Sequence, residues 1–197
     1  MARYSAAHKA QSRAALIQAG ADLFRARGYN GVGIDELCAE AGLTRGAFYG
    51  HFNSKAELLA AVLRGNHDFA RRLKARSGKT TQSLRRQGAR IARDYLDPDN
   101  RQAVVGGCSI SALSIDAIRA DAGTRAAYVE GVLAVLKEMR RGQDDAPLDA
   151  DAARAALALC VGGLLLDNAC GEDPEGPRIA RAAQKLAGAL LEGKVDY

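Results

Sequence analysis

The stretch that most constrains the fold is residues 34–55, with the sequence IDELCAEAGLTRGAFYGHFNSK. Apolar side chains recur there at the three- and four-residue intervals of a helix that buries one face, at Ile34, Leu37, Cys38 and Ala41. Gly42 favours the left-handed backbone conformation that ends helices, and Thr44 is a good N-cap for the next helix. The stretch therefore predicts two short helices joined by a tight turn.

The second short helix has an apolar face and a polar face. Phe48 and Phe52 are four residues apart, so their rings are expected to pack inward against the first short helix. Arg45, Tyr49 and His51 are then left on the outer surface. A helix-turn-helix with such an outer surface is typical of proteins that bind DNA.

The formal charge of +5 is unevenly distributed along the 197 residues. Residues 1–55 carry +3, residues 56–96 carry +7 and residues 97–197 carry −5. This asymmetry favours an anionic partner for the first half of the chain, either nucleic acid or a membrane surface. A solvated, arginine-rich helix face would explain the charge equally well, so charge alone does not decide between them.

The composition favours an all-α protein. Hydrophobic residues make up 48% of the chain and aromatic residues only 5%, so the core must consist mainly of Ala, Leu, Val and Ile. No sustained alternation of apolar and polar residues predicts a strand. The predicted helices span residues 7–26, 34–41, 45–52, 55–76, 81–96, 109–120, 123–141, 149–170 and 177–191.

Several patterns argue against a cofactor, a disulfide framework or a membrane location. The four cysteines form no CxxC pair, and Gly162-Gly163 lacks the frame of a phosphate loop. The N-terminus lacks the apolar run of a signal peptide, and the most apolar stretch, residues 155–166, is shorter than a membrane-spanning helix. We therefore expect a soluble, cytoplasmic protein with reduced thiols and no cofactor.

Residues 16–63 resemble the DNA-binding domain of the tetracycline-repressor (TetR) family of bacterial regulators. Four elements carry the resemblance in one register: the GY pair after the first helix, the AGLT turn, the FYGHF helix and the SKAEL start of the fourth helix. Gly33 is a departure, because the family commonly has Ser or Thr there as N-cap, and a phosphate-binding hydroxyl is therefore missing.

The resemblance implies a homodimer with about nine helices per subunit. It implies a helix-turn-helix DNA-binding domain over residues 1–55 and a helical ligand-binding and dimerisation domain over residues 56–197, coupled by a continuous fourth helix. The last two helices of each subunit would form a four-helix bundle that covers the apolar residues 152–166. The implied function is that of a regulator, by family default a repressor, that leaves a palindromic operator when a small molecule binds the body.

Arg45 is expected to read bases, because it lies at the exposed start of the recognition helix and a guanidinium can hold guanine O6 and N7 together. Ala47 could meet a thymine methyl group, and Gly46 would let the helix approach the groove. Further contacts, mostly to phosphates, are expected from Arg13, Thr44, Tyr49, His51 and Lys55. Simple packing of Tyr49 and an ordinary surface role for His51 are the alternatives, which the surrounding motif disfavours.

The middle helices of the body are expected to enclose a pocket for an unidentified small molecule. Its candidate lining residues are Tyr95, Cys108, Ser111, Ile115, Tyr128, Val132 and Leu164. Core packing explains each of them at least equally well. Cys108 follows Gly106-Gly107 and opens a helix, where the dipole favours a reactive thiolate. An electrophile or redox sensor and inert packing both remain open for this cysteine.

Two other classes of function are weaker. An enzyme would need a convergent acid, base or nucleophile, and no such set can be built around His8, His51 and His67. A membrane-surface or architectural DNA protein would use the basic residues without base readout by Arg45. Sequence-dependent binding upstream of the protein's own gene, released by a small molecule, would distinguish the predicted regulator from both.

Overall fold

The structure is a computed structural model that describes residues 6–65, 67–98, 108–143 and 147–195. Within these ranges the chain forms eleven helices and no strand, which confirms the predicted all-α fold class. The helices are α1 (Ala6–Arg27), α2 (Ile34–Glu40), α3 (Arg45–Tyr49), α4 (Lys55–Gly65), α5 (Asp68–Lys74), α6 (Thr81–Tyr95), α7 (Ser109–Ala112), α8 (Ser114–Arg119), α9 (Ala122–Arg140), α10 (Ala150–Cys170) and α11 (Glu175–Glu192).

The chain divides into two compact units. The head unit comprises the described residues of Met1–Asn66 and Ala112–Gly131, and the body unit comprises those of His67–Ser111 and Val132–Tyr197. The head unit therefore combines α1 to α4 with α8 and the first half of α9. The domain division at residues 55 and 56 stays a prediction.

The core of the head unit joins the helix-turn-helix to the later segment. Phe48 and Phe52 are 0% and 1% exposed, with ring centroids 5.9 Å apart, so the prediction that both rings face inward is confirmed. Leu113 and Ala127 are buried in the same cluster. Burial of these apolar side chains is the main force that holds the unit together.

The predicted fourth helix over residues 55–76 is wrong, because it is two helices. α4 ends at Gly65, and α5 begins at Asp68 with His67 as its N-cap in an extended conformation (φ −118°, ψ 99°). His67 forms an isolated β-bridge with Cys108. Pairing with a residue so distant in sequence is not contained in the local helical pattern.

The predicted helix over residues 109–120 is also divided. Leu113 leaves helical geometry between α7 and α8, with φ −108° and ψ 15°, and its side chain is fully buried in the head unit. The break therefore coincides with the insertion of an apolar side chain into a core. The other predicted helices agree with the structure to within three residues at each end.

In the body unit, α10 packs closely against its neighbours at Gly163. A Cβ atom at this position would lie 2.8 Å from the Ala183 Cβ and 3.0 Å from the Leu96 Cδ2. Both distances are below ordinary van der Waals contact, so the close approach of α10 to α11 requires glycine. The prediction that the glycine pair lets helices approach is thus confirmed at Gly163.

The helix α10 is also long and apolar. Its 21 residues contain a window with a mean hydropathy of 1.4, so by length and composition the helix could cross a membrane. The prediction that this segment is too short is therefore wrong, because the helix continues beyond the apolar residues 155–166 at both ends. Within that window 39% of the residues are buried, and core helices of soluble proteins meet the same criteria.

Candidate nucleic-acid interface

The turn between α2 and α3 is built from Gly42 and Thr44. Gly42 has a positive φ of 65°, and the next amide, of Leu43, donates to the Cys38 carbonyl at 2.8 Å. Thr44 is extended, and its hydroxyl accepts a hydrogen bond from the Ala47 amide at 3.2 Å. The threonine therefore caps α3, as its position predicts, and fixes the direction of the recognition helix.

One face of α3 and its flanking turn is exposed. The side chain of Arg45 is 59% exposed and Tyr49 is 48% exposed, while Gly46 and Gly50 are exposed beside them. Ala47 and His51 are half-buried. This arrangement presents a cation, an aromatic hydroxyl and two positions without side chains on one surface.

Arg45 is held beside α2 in this structure. Its Nη1 lies 3.2 Å from both carboxylate oxygens of Asp35, and its guanidinium carbon is 6.0 Å from the Tyr49 ring centroid. The interaction with the Tyr49 side chain, followed by the charge of Asp35, raises the pKa of Arg45. An ion pair between two exposed side chains contributes little, so guanine can replace Asp35 as the partner.

Positive charge from α1 lies beside the recognition helix. The guanidinium carbon of Arg13 is 5.1 Å from the Phe52 ring centroid. Burial, and then the charges of Lys9 and Arg13, lower the pKa of His51. Lys9 is a candidate contact that the sequence reasoning missed, although its position four residues before Arg13 places both on one face of α1.

Lys55 has partners within the protein. Its ammonium donates to the carbonyls of Tyr29 and Val32 at 2.8 and 2.9 Å, and it lies 4.1 Å from the Tyr29 ring centroid. These bonds use two of its three protons and secure the connection between α1 and α2. A contact from Lys55 to a phosphate stays a prediction.

Gly33 is the N-cap of α2. It makes no side-chain capping bond, but its amide donates to the Glu36 carboxylate at 3.4 Å, and Arg27 pairs with the same carboxylate. The start of α2 is therefore stabilised without the hydroxyl that Ser or Thr would supply.

Two polar contacts join the later segment of the head unit to the helix-turn-helix. The Tyr29 amide donates to the Asp116 carboxylate at 3.0 Å, and the Arg64 Nε lies 2.9 Å from the Glu130 carboxylate. Asp116 lies on α8 and Glu130 on α9. A displacement of either helix would therefore act directly on the end of α1 or on α4.

Three of the seven predicted ligand-lining residues come together in the body unit. Tyr95 donates to the Ser111 hydroxyl at 3.0 Å, which in turn donates to the Cys108 carbonyl at 3.2 Å. All three are at most 3% exposed. Burial, and then the nearby charge of Cys108, raise the pKa of Tyr95.

The other four predicted lining residues are dispersed. Leu164 is buried in α10, and Val132 is half-buried in α9. Ile115 and Tyr128 belong to the head unit, where Ile115 is 52% exposed and the Tyr128 hydroxyl lies 3.1 Å from that of Ser114. A pocket lined by all seven residues stays a prediction.

Cys108 has little room for a reactive thiol. It is 2% exposed, and α7, the helix that it precedes, has only four residues. Gly106 and Gly107 lie outside the described residues. All four cysteines are free, as predicted, and burial raises the pKa of Cys160.

An apolar groove of about 770 Å³ runs between α10 and α11. Small residues form much of it, including Ala155, Ala158, Gly162 and Ala182. Leu166, Leu186 and Val195 line the same groove and are 52%, 45% and 36% exposed. Several large apolar side chains are thus uncovered on one face of the helix pair.

Comparisons with known proteins agree with this geometry. The family model described as "Bacterial regulatory proteins, tetR family" matches residues 16–62. The HTH-type transcriptional regulator SrpR of Pseudomonas putida is 44% identical over 63 residues, which are 32% of this chain and 30% of SrpR. The HTH-type transcriptional activator FasR of Mycolicibacterium smegmatis is 40% identical over 58 residues, which are 29% of this chain and 26% of FasR.

The whole fold also has counterparts among solved structures. The reduced form of Escherichia coli NemR superposes with a TM-score of 0.69 at 22% identity, covering 88% of this chain and 95% of NemR. The matched segment spans less than half of the curated relatives' length, and they are regulators of transcription rather than enzymes. The resemblance predicted from residues 16–63 is confirmed.

Proposed function

Because the chain belongs to the TetR family of bacterial regulatory proteins, we propose that it is a ligand-responsive repressor. The protein binds a near-palindromic operator in the cytoplasm as a homodimer and leaves it when a small molecule occupies its body. The observation that carries the proposal is the position of Arg45, exposed at the start of a capped recognition helix beside residues without side chains.

The dimer would be formed by α10 and α11. Their groove exposes Leu166 and Leu186, which a monomer would leave in water. Small residues in the groove would allow two copies to approach closely, so that four helices bury one core. Two recognition helices would then reach successive major grooves ~34–36 Å apart.

The switch would act through the later segment of the head unit. A ligand can release DNA only by binding the non-DNA-binding arrangement more tightly than the other. The contacts of Asp116 with Tyr29 and of Glu130 with Arg64 would transmit a movement of α8 or α9 to the helix-turn-helix. No contact made only through α4 is needed for this route.

Replacement of Arg45 by alanine tests the proposed readout. We expect Arg45→Ala to weaken binding to the operator by ~1–3 kcal/mol, because the bidentate contact to guanine is lost. Binding to random DNA should change little. The measurement is fluorescence anisotropy with the region upstream of the protein's own gene and with random DNA, at one fixed salt concentration.

The matched control is Arg119→Ala, which removes an exposed arginine of α8. It should leave the ratio of operator to random binding unchanged. Equal losses on both DNAs for Arg45→Ala would contradict base readout. Activation is the alternative to repression, since the relative FasR is an activator; transcription in vitro from the same region, with and without the protein, distinguishes the two.

A further inference from the structure

A second cleft lies in the body unit, away from the buried cluster of Tyr95, Cys108 and Ser111. It has a volume of about 720 Å³, which suits a small organic molecule. Its walls come from the second half of α9, the connection that follows, and the start of α10. The residues used below are Leu133, Leu136, Lys137, Arg140, Arg141 and Arg154.

The cleft carries more positive than negative charge. Four cations line it, and Glu138 is the one carboxylate among its described lining residues. The Arg141 Nε lies 3.5 Å from the Glu138 carboxylate, which leaves Lys137 and Arg140 without a carboxylate partner among the described residues. Arg154 pairs with Asp151, but its side chain is 63% exposed, so this ion pair is readily exchanged.

The nearby aspartate at the start of α10 does not balance this charge. One carboxylate oxygen of Asp149 accepts hydrogen bonds from the amides of Asp151 and Ala152 at 2.8 and 2.9 Å. It is therefore used as the helix cap. Asp144 and Asp145 belong to the same connection and lie outside the described residues.

A buried arginine next to the cleft adds to the excess of positive charge. Arg76 is 6% exposed and donates to the carbonyls of Leu73 and Leu84 at 2.8 and 2.9 Å, and to that of Glu138. Burial, and then the charge of Arg141, lower the pKa of Arg76 to about 10. These carbonyl bonds hold Arg76 in place, so the repulsion between two guanidinium groups belongs to the framework.

The cleft also has an apolar side. Leu133 is 58% exposed on α9, and Leu136, Pro147 and Ala150 line the same space. A free inorganic ion would use the cations and leave this surface in water. A molecule with both an acidic group and a hydrocarbon part would bury the apolar surface and offset the positive charge.

We propose that this cleft binds an amphipathic organic anion, with its acidic group among Lys137, Arg140 and Arg154 and its hydrocarbon chain on Leu133 and Leu136. The site is a property of the body unit alone. It stands whether or not its occupation releases DNA, and it goes beyond the regulatory function proposed above.

Isothermal titration calorimetry with octanoate on the full chain tests the proposal. We expect saturable binding that weakens about tenfold or more in the double variant Lys137→Gln/Arg154→Gln, because two of the four cations are removed. The matched control is Arg86→Gln/Arg90→Gln, which removes two exposed arginines of α6 outside the cleft. The control should bind octanoate within about twofold of the parent chain.

Two further ligands separate the parts of the proposal. Octan-1-ol and inorganic phosphate should each bind at least about tenfold more weakly than octanoate, because each offers only half of the required chemistry. Equal binding of octanoate by the cleft variant and the parent would overturn the proposal, as would the absence of saturable octanoate binding to the parent. Circular dichroism of both variants confirms that they are folded.

Discussion

At the edge of the recognition helix, single residues influence one another through charge. Lys9 and Arg13 on α1 lie close enough to His51 to lower its pKa, after the larger effect of burial. An imidazole whose pKa is lowered from 6.5 is mostly neutral at pH 7. A phosphate placed against it would have the opposite effect, because the anion favours the imidazolium form.

Operator binding should therefore depend on pH through His51. If a phosphate raises the pKa of this histidine in the complex above its value in the free protein, binding takes up a proton. Affinity is then greatest at low pH and is lost as pH rises through the pKa of the complex, by at most about tenfold per pH unit. Anisotropy titrations between pH 6 and 8 at constant ionic strength measure this slope.

The variants His51→Gln and His8→Gln identify the responsible group. The first should remove the slope, and the second, which changes a histidine of α1, should preserve it. A slope that is the same in His51→Gln and in the parent protein would show that His51 does not contact a phosphate.

At the level of helices, the body unit depends on the close packing of α10 against α11. Gly163 allows this packing because no side chain separates the two backbones. Gly163→Ala should lower the free energy of unfolding by ~1–3 kcal/mol, since its Cβ would overlap the Ala183 Cβ and the Leu96 Cδ2. Urea unfolding followed by circular dichroism measures the change.

A second glycine supplies the control for this prediction. A Cβ on Gly65, at the end of α4, would meet no heavy atom within 4 Å. Gly65→Ala should therefore leave stability unchanged or raise it slightly, because alanine favours the helix. An equal loss of stability in both variants would argue against a specific overlap at Gly163.

At the level of the whole molecule, dimerisation decides whether the chain can recognise an operator at all. Leu166→Asp should convert the dimer to a monomer near 20.8 kDa, because a dimer would bury the new carboxylate in an apolar groove. Leu166 is 52% exposed in the single chain, so the monomer should keep its fold. Light scattering after size-exclusion chromatography measures the mass.

Leu133→Asp is the matched control, because Leu133 is 58% exposed on α9 and lies outside that groove. It should remain dimeric. A Leu166→Asp protein that stays dimeric would place the subunit interface elsewhere. Loss of operator binding together with the dimer would support the proposed dependence on half-site spacing.

The sequence by itself determined the helix-turn-helix. Its caps, its glycine turn and the four-residue spacing of Phe48 and Phe52 are local signals, and local signals are read by residues that are neighbours in the chain. The same holds for the all-helical class and for the inward and outward faces of α3.

Only the tertiary structure decided which distant segments meet. The break at His67 depends on pairing with Cys108, the carbonyl partners of Lys55 come from the turn after α1, and Asp116 joins the head unit from far along the chain. The excess positive charge of the cleft beside Arg76 arises in the same way, from α5, α9 and α10 together. Such contacts depend on the packing of a whole core, which no local spacing of residue types encodes.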